Sequence, residues 1–247
     1  MDRRDRLGGG ASRTVGLLLA AGAGARLGGE PKAFVELGGS PLFVHGLRSM
    51  LTCPLIGGVV LLVPSGYVDA ARVSVDLAPG SAVPIAVREG GASRQESVRR
   101  GLEEIGEETE VVVCHDAARP FAGPDLFERV LDALRESGAA GAVPYVWSPD
   151  TVKRVRDGRV LETIPREEVG LVQTPQAFVA SALRAAHERA MATGLGATDD
   201  AMLLEAAGFS VVAVEGDPAN FKITTKDDLA RAEFELARRG RRIGSPS

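Results

Sequence analysis

Residues 15–20, VGLLLA, form a short, almost unbroken apolar run, and a loop carrying Gly22, Gly24, Gly28 and Gly29 follows at once. An apolar run of this length reads as a strand covered on both faces, which confines the chain to a sheet with helices on its two sides. Glycines directly after such a strand let the backbone take positive φ and bring N–H groups close to an anion, while Arg26 and Lys32 add fixed positive charge. That combination suits a polyphosphate. A plain strand-to-helix turn with surface cations is the alternative for this segment taken alone.

Two familiar phosphate loops fit poorly. The dinucleotide fingerprint needs G-x-G-x-x-G, whereas Gly22, Gly24 and Gly28 are spaced G-x-G-x-x-x-G, and two cations beside a pyrophosphate held by a helix N-terminus are unusual. The second strand candidate ends at Val63 followed by Pro64 and Ser65, with no acid for a ribose, so a nicotinamide-dependent oxidoreductase is disfavoured. The Walker loop needs a hydroxyl after its lysine, but Ala33 follows Lys32.

Strand and helix patterns alternate along the chain. Candidate strands cover residues 15–20, 58–63, 83–87, 111–115, 141–144, 169–173 and 210–214. Pro41 opens one helix, Ser93 with Glu96 caps a helix running to about Ile105, Pro124 opens a helix toward Ser137, and Thr225 with Asp228 caps the last one. The alternation predicts an α/β fold, a doubly wound and mostly parallel Rossmann-like sheet whose ligands bind at the carboxyl ends of the strands. At 247 residues with 45% apolar content, one large domain is expected over residues 14–240, preceded by a charged, glycine-rich tail at 1–13 that is expected to be disordered and lacks the apolar stretch of a signal peptide.

Between residues 147 and 168 the alternation breaks. TVKRVRDGRVLETI alternates polar and apolar residues around Asp157-Gly158, a strong hairpin signal. Two strands alone are marginal in water, so the hairpin is expected to lie across its own domain or, preferably, to protrude as an arm onto a second subunit.

VVVCHDAARPF, residues 111–121, ends a buried strand on a carboxylate, which the interior disfavours unless it is paired. Asp116 is therefore a candidate for magnesium or a nucleotide hydroxyl, and Arg119 for a second phosphate, against the alternative of an Asp116–Arg119 turn salt bridge. His45, His115 and His187 read as polar packing residues. The net charge of −4 argues against general nucleic-acid binding, yet Arg26, Lys32, Arg94, Arg119, Lys153, Arg154, Arg166 and Lys222 fall in or beside loops, an arrangement that focuses a small anion into a cleft. Cys53 and Cys114 lack metal-ligand or CxxC spacing, which fits a reduced cytoplasmic protein, and no run approaches the ~18 apolar residues of a membrane span.

The ordered set AAGAGARLGGEPK, GGASRQESV, HDAARP, DTVKR, PREEVGLVQTPQAF, ATDDAMLLEAAG and NFKITTKDDLARAEF, over residues 15–234, resembles the 2-C-methyl-D-erythritol 4-phosphate cytidylyltransferases of non-mevalonate isoprenoid synthesis. The ribitol-5-phosphate cytidylyltransferases look similar over the same length, but Ala117-Ala118 between Asp116 and Arg119 resembles the methylerythritol enzymes more. The resemblance implies CMP transfer from CTP to methylerythritol phosphate, with Mg2+ and a homodimer formed through the hairpin arm. It implies that Ala20, Ala21, Gly22 and Gly24 lie against CTP, with Arg26 and Lys32 on its phosphates. Gly91, Ala92 and Ser97 would line the cytosine pocket; the family often has an acid where this chain has Ala92. Asp116 and Ala117 would reach the ribose and the metal. Arg119, Thr174 and Lys222 would face the methylerythritol phosphate, with Thr151 and Arg166 arriving from the partner's arm. The interval from Arg26 to Lys32 is one residue shorter than in familiar members, so the family's loop path is not carried over there. A catalytically dead homologue is disfavoured because these charged residues are all present, and the length leads to the expectation that no second pathway enzyme is fused to the chain.

Overall fold

The computed structural model describes residues 13–22, 31–76 and 83–243. Their centre is an eight-stranded sheet built from β1 (Thr14–Leu19), β4 (Gly58–Val63), β5 (Ile85–Glu89), β6 (Val111–Asp116), β7 (Gly141–Trp147), β10 (Gly170–Val172), β11 (Gln176–Val179) and β12 (Val211–Glu215). The strand order is β10-β7-β11-β6-β1-β4-β5, with β12 pairing β7. Pairings among β5, β4, β1 and β6, and between β12 and β7, are parallel, whereas β10 and β11 run antiparallel to their neighbours. The expected mostly parallel sheet is present.

Alternate residues of the central strands face opposite helical layers, the period-2 rule of a sheet covered on both sides. Leu18, Val59, Leu61, Val63 and Val113 pack with α1 (Leu42–Thr52) and α4 (Pro124–Ser137). Leu17, Val60, Leu62, Val112 and Cys114 pack with α3 (Arg94–Glu104), α5 (Ala180–Thr193) and α6 (Asp200–Ala206). Helix α2 (Val68–Asp76) sits between β4 and β5 in the chain. Valines and leucines of β4 from 59 to 63 are fully buried, each stabilising the fold by about 1.5–3 kcal/mol relative to exposure.

Local chemistry sets several boundaries as the sequence predicts. Pro124 stands at the first position of α4, and Gly138 ends that helix in the left-handed region. Ser93 Oγ accepts from the Glu96 N–H at 3.0 Å at the start of α3, while the Glu96 carboxylate turns to the Ala92 N–H at 2.8 Å. In α7 (Lys226–Ile243) the capping box is reciprocal: Asp228 N–H donates to Thr225 Oγ1 and Thr225 N–H to Asp228 Oδ2.

Some boundaries differ. The strand expected at 83–87 is Ile85–Glu89, because Pro84 offers no N–H and the edge position of β5 tolerates Arg88 and Glu89. The strand expected at 169–173 is the exposed edge Gly170–Val172. β7 runs on to Trp147, three residues past the expected end, because β10 pairs with Tyr145, Val146 and Trp147. The ribbon of β2 (Glu36–Leu37) and β3 (Ser40–Pro41), and β11, were not anticipated.

The hairpin is present as β8 (Val152–Arg156) and β9 (Arg159–Ile164), which among the described strands pair only with each other. Asp157 and Gly158 both take positive φ, 49° and 73°, as a type I′ turn requires. Every residue from 153 to 163 is exposed, with Val155, Val160 and Leu161 more than half so.

A third, smaller core packs α7 on the β2–β3 ribbon, the start of α1 and the segment after β6. Ile223 and Ala232 pack with Leu37, Leu42 and Phe121, and Arg231 stacks 3.9 Å over the Phe221 ring. Gly38 turns the β2–β3 ribbon at φ +56°, a left-handed conformation that favours glycine, and a β-carbon there would also displace the end of the Leu236 side chain of α7.

Candidate active site

The strand order reverses direction of winding between β1 and β6, and the loops after β1, β4, β5 and β6 open on the same end of the sheet. That crevice is where an open α/β sheet takes its ligand. Register puts Asp116 beside Leu19, so the turn after β6 lies against the loop after β1. Ala117 N–H donates to Leu19 O at 3.0 Å, Ala20 N–H to Leu62 O at 2.8 Å, and Gly90 N–H to Val63 O at 2.8 Å. Ala20 and Ala117 are buried, Ala21 is half-buried and Gly22 is exposed. Gly24 and Arg26 lie outside the described residues.

The loop after β5 joins the same floor. A β-carbon on Gly90 would stand 2.3 Å from Ala21 Cβ and 3.0 Å from Ser97 Oγ, so the two loops touch only because residue 90 has none. Ser97, buried, accepts from Gly91 N–H at 3.0 Å and donates to Ser93 O at 2.8 Å, and this with the Ala92–Glu96 bond fixes the path of residues 91 and 92.

Asp116 is the electrostatic centre. Its Oδ2 accepts from Lys222 Nζ at 2.7 Å and its Oδ1 from Arg94 Nε at 3.2 Å. Burial opposes its charge, but Arg94 and Lys222 outweigh burial and hold the carboxyl well below the usual range. Burial likewise opposes charge on Arg94, and Asp200 and Asp116 more than offset it. Lys222 reaches Asp116 because its neighbour Ile223 is buried in the third core and donates its N–H to Ala118 O at 2.9 Å. Lys32 stands in a 3-10 turn, Lys32–Phe34, anchored by buried Ala33; burial first, then Lys222, lowers its pKa to about 8.

Arg119 is steered by carbonyls, Asn220 O at 2.8 Å and Val172 O at 3.4 Å, while its own N–H donates to Asp116 O. The Asp116 carboxylate is paired with Arg94 and Lys222 rather than in a turn salt bridge with Arg119. Thr174 is buried: its Oγ1 accepts from Asp116 N–H at 3.0 Å and lies 3.0 Å from His115 Nδ1. His115 has its second ring nitrogen 3.1 Å from Arg119 O, and burial lowers its pKa to about 4, so it is a packing residue as expected. His187 bonds Asp200, and His45 bonds Leu37 O.

The structure thus brings together Ala20, Ala21, Lys32, Gly91, Ala92, Ser97, Asp116, Ala117, Arg119, Thr174 and Lys222. It does not bring Thr151 or Arg166 to them: both are exposed at the hairpin base, with Arg166 held by Glu167 and the Pro149 carbonyl. Sequence reasoning missed Asp200, which takes Arg94 Nη1 at 2.6 Å; the signal was a second acid in the run Asp199-Asp200 at a helix start. Among the described residues no three His, Cys, Asp or Glu side chains gather as a metal cage. One ionised carboxylate, Asp116, suits a Mg2+ ion whose other ligands are phosphate oxygens and water, since that cation is commonly held through one or two carboxylates.

The chain is similar to known proteins over most of its length. The family model described as IspD, 2-C-methyl-D-erythritol 4-phosphate cytidylyltransferase, matches residues 14–238. The chain is 41% identical to the 2-C-methyl-D-erythritol 4-phosphate cytidylyltransferase of Corynebacterium efficiens, over 89% of this chain and 91% of that one. It is 46% identical to the bifunctional enzyme IspD/IspF of Nitratidesulfovibrio vulgaris over 88% of its own length but only 57% of that protein, so it spans a little over half of such two-part relatives. A crystal structure of 4-diphosphocytidyl-2C-methyl-D-erythritol synthase from Anaerococcus prevotii superposes with a TM-score of 0.81 at 29% identity, covering 92% of this chain and 96% of that one. The 2-C-methyl-D-erythritol 4-phosphate cytidylyltransferase of Thermus thermophilus gives 0.72 at 37% identity, covering 90% and 98%. A match that begins at the first residue of β1 and runs deep into α7 takes in every loop of the crevice, and the chain belongs to the 2-C-methyl-D-erythritol 4-phosphate cytidylyltransferase (IspD) family.

Proposed function

We propose that the chain transfers the cytidylyl group of CTP to 2-C-methyl-D-erythritol 4-phosphate, giving CDP-methylerythritol and pyrophosphate in non-mevalonate isoprenoid synthesis. The observation that carries this reading is the clustering of Lys32, Lys222 and Arg119 around one ionised carboxylate, beside a histidine too buried to serve as a base. A phosphate monoester with a second pKa of about 6 is already a nucleophile at neutral pH. Its oxygen attacks the α-phosphorus, the bond from that phosphorus to the bridging oxygen breaks, and pyrophosphate leaves with the electron pair. No proton needs removing; the obstacle is the mutual repulsion of two polyanions.

Positioning and charge neutralisation meet that obstacle. Lys32 and Arg26 take the triphosphate, and Lys222 faces the reacting phosphates. Ala20, Ala21, Gly22, Gly24 and Ala117 shape the nucleotide cleft, and Gly91, Ala92 and Ser97 form the base pocket. Arg119 and Thr174 serve the acceptor, Thr174 through its hold on Asp116. Bound Mg2+, held by Asp116, would add Lewis-acid stabilisation at the phosphates.

The hairpin supports a homodimer. Its apolar residues Val155, Val160 and Leu161 are uncovered, and Thr151 and Arg166 at its base serve the partner's site. If so, mixing Arg166→Ala chains with Lys32→Ala chains restores about a quarter of wild-type activity, since half the random dimers are hybrids with one complete site of two. No recovery, with subunit exchange verified, places Arg166 outside the partner's site.

The reaction itself is tested by pyrophosphate release with CTP and Mg2+, methylerythritol 4-phosphate being compared with ribitol 5-phosphate. Turnover with the first alone is expected. A preference for ribitol phosphate, or no release with either, overturns the substrate assignment.

A further inference from the structure

Arg94 meets two carboxylates with different parts of its guanidinium. Nε donates to Asp116 Oδ1 at 3.2 Å, Nη1 donates to Asp200 Oδ2 at 2.6 Å, and the buried Nη2 has no hydrogen-bond partner. An arginine beside a carboxylate commonly offers Nε and Nη2 as a fork that occupies both oxygens. Here the shorter bond goes to Asp200, and Asp116 keeps Oδ2 for Lys222 at 2.7 Å.

Asp200 is itself fixed. It is the first residue of α6, 1% exposed, and its Oδ1 accepts from His187 Nε2 of α5 at 3.0 Å. The loop before α6 is pinned to α3 by Gln95, which donates to Leu195 O and accepts from Ala197 N–H, both at 3.2 Å. Three helices therefore set where Arg94 can point.

We propose that Asp200 is a positioning residue for the transfer reaction: by holding Arg94 through Nη1 it keeps the guanidinium from forking onto Asp116 and reserves one oxygen of Asp116 to orient Lys222. This deepens the functional reading above and rests on it for the role of Lys222. A role confined to architecture would end at tying α3 to α6. The positioning role goes further, because loss of the Asp200 charge releases Arg94 to take both oxygens of Asp116, and Lys222, whose side chain is 41% exposed, swings away.

The test has a substrate-free arm. In ligand-free protein at pH 8, acylation of Lys222 is measured by peptide mapping and normalised to the exposed Lys226 at the start of α7. Asp200→Asn is expected to raise the relative rate about threefold, because the amine leaves the Asp116 carboxylate, and to lower kcat about tenfold with KM for CTP changed less than about threefold. Adding Arg94→Lys to Asp200→Asn is expected to recover part of both effects, since a lysine is a point charge that cannot fork onto two oxygens. Independent structural lesions would instead compound. Should Asp200→Asn fail to fold by circular dichroism, His187→Ala, which loosens Asp200 without removing its charge, is expected to raise Lys222 labelling about twofold. Unchanged labelling in the folded variant, or a double variant worse than Asp200→Asn alone, overturns the positioning role. A wild type without cytidylyl transfer overturns the functional reading separately, since labelling needs no substrate.

Discussion

Lys32→Arg probes the cationic cluster through its pH dependence. Lys32 is half-buried, with Lys222 and Arg119 nearby; burial first, then those charges, bring its pKa from 10.5 to about 8 in the ligand-free protein. At that pKa about nine in ten molecules carry the charge at pH 7, half at pH 8 and about one in ten at pH 9. Because the ammonium form meets the triphosphate, kcat/KM for CTP, which reports the free enzyme, falls about tenfold between pH 7 and 9. Arginine stays charged throughout this range, so Lys32→Arg flattens the alkaline limb even if its absolute rate is lower. The assay is pyrophosphate release at CTP well below KM, saturating acceptor and constant ionic strength, with circular dichroism at each pH. Titrating the Lys32 side-chain resonance, assigned by its loss in the variant, gives the same pKa without substrate. An identical alkaline limb in both proteins, or a Lys32 resonance that titrates above pH 10, refutes the reasoning.

Two further substitutions test how the site is held. His115 is favoured in its neutral form on folding, with a pKa of about 4 against 6.5 in the unfolded chain, so its contribution is intact above pH 6.5 and is lost as pH falls toward 4. Over that window it accounts for about 3 kcal/mol, and urea unfolding at pH 7, 5.5 and 4 should lose less stability in His115→Gln than in wild type; equal losses contradict the assignment. Gly90→Ala places a methyl 2.3 Å from Ala21 Cβ and must part the β1 and β5 loops, raising KM for CTP about tenfold in a folded protein, whereas an unchanged KM would show that those loops do not share the nucleotide.

The elements most legible in the sequence were those whose signal is local. Pro124 and Gly138 delimit α4, Asp157-Gly158 makes the hairpin turn, and the Thr225–Asp228 box starts α7, each through a few adjacent residues. The strand Gln176–Val179 escaped because four residues carry no readable period, and its place between β6 and β7 is decided by distant partners. In the site, Lys32, Asp116, Arg119 and Lys222 stood out as charges at strand ends. Asp200 did not, because its meaning comes from Arg94, 106 positions away, and no spacing rule joins the two. Thr174 was expected to face the acceptor; its hydroxyl is engaged with Asp116 N–H and His115, a buried arrangement that only the packed sheet makes visible.

The central claim is that fixed cations, without a general base, make the phosphorus accessible to a second polyanion. It is tested most directly by kcat of Lys222→Ala, with circular dichroism and CTP affinity measured on the same preparation. Loss of one preorganised donor of this kind costs about 2.7–4 kcal/mol, so kcat is expected to fall about a hundredfold or more while the fold is retained. Turnover at the wild-type rate would contradict the account.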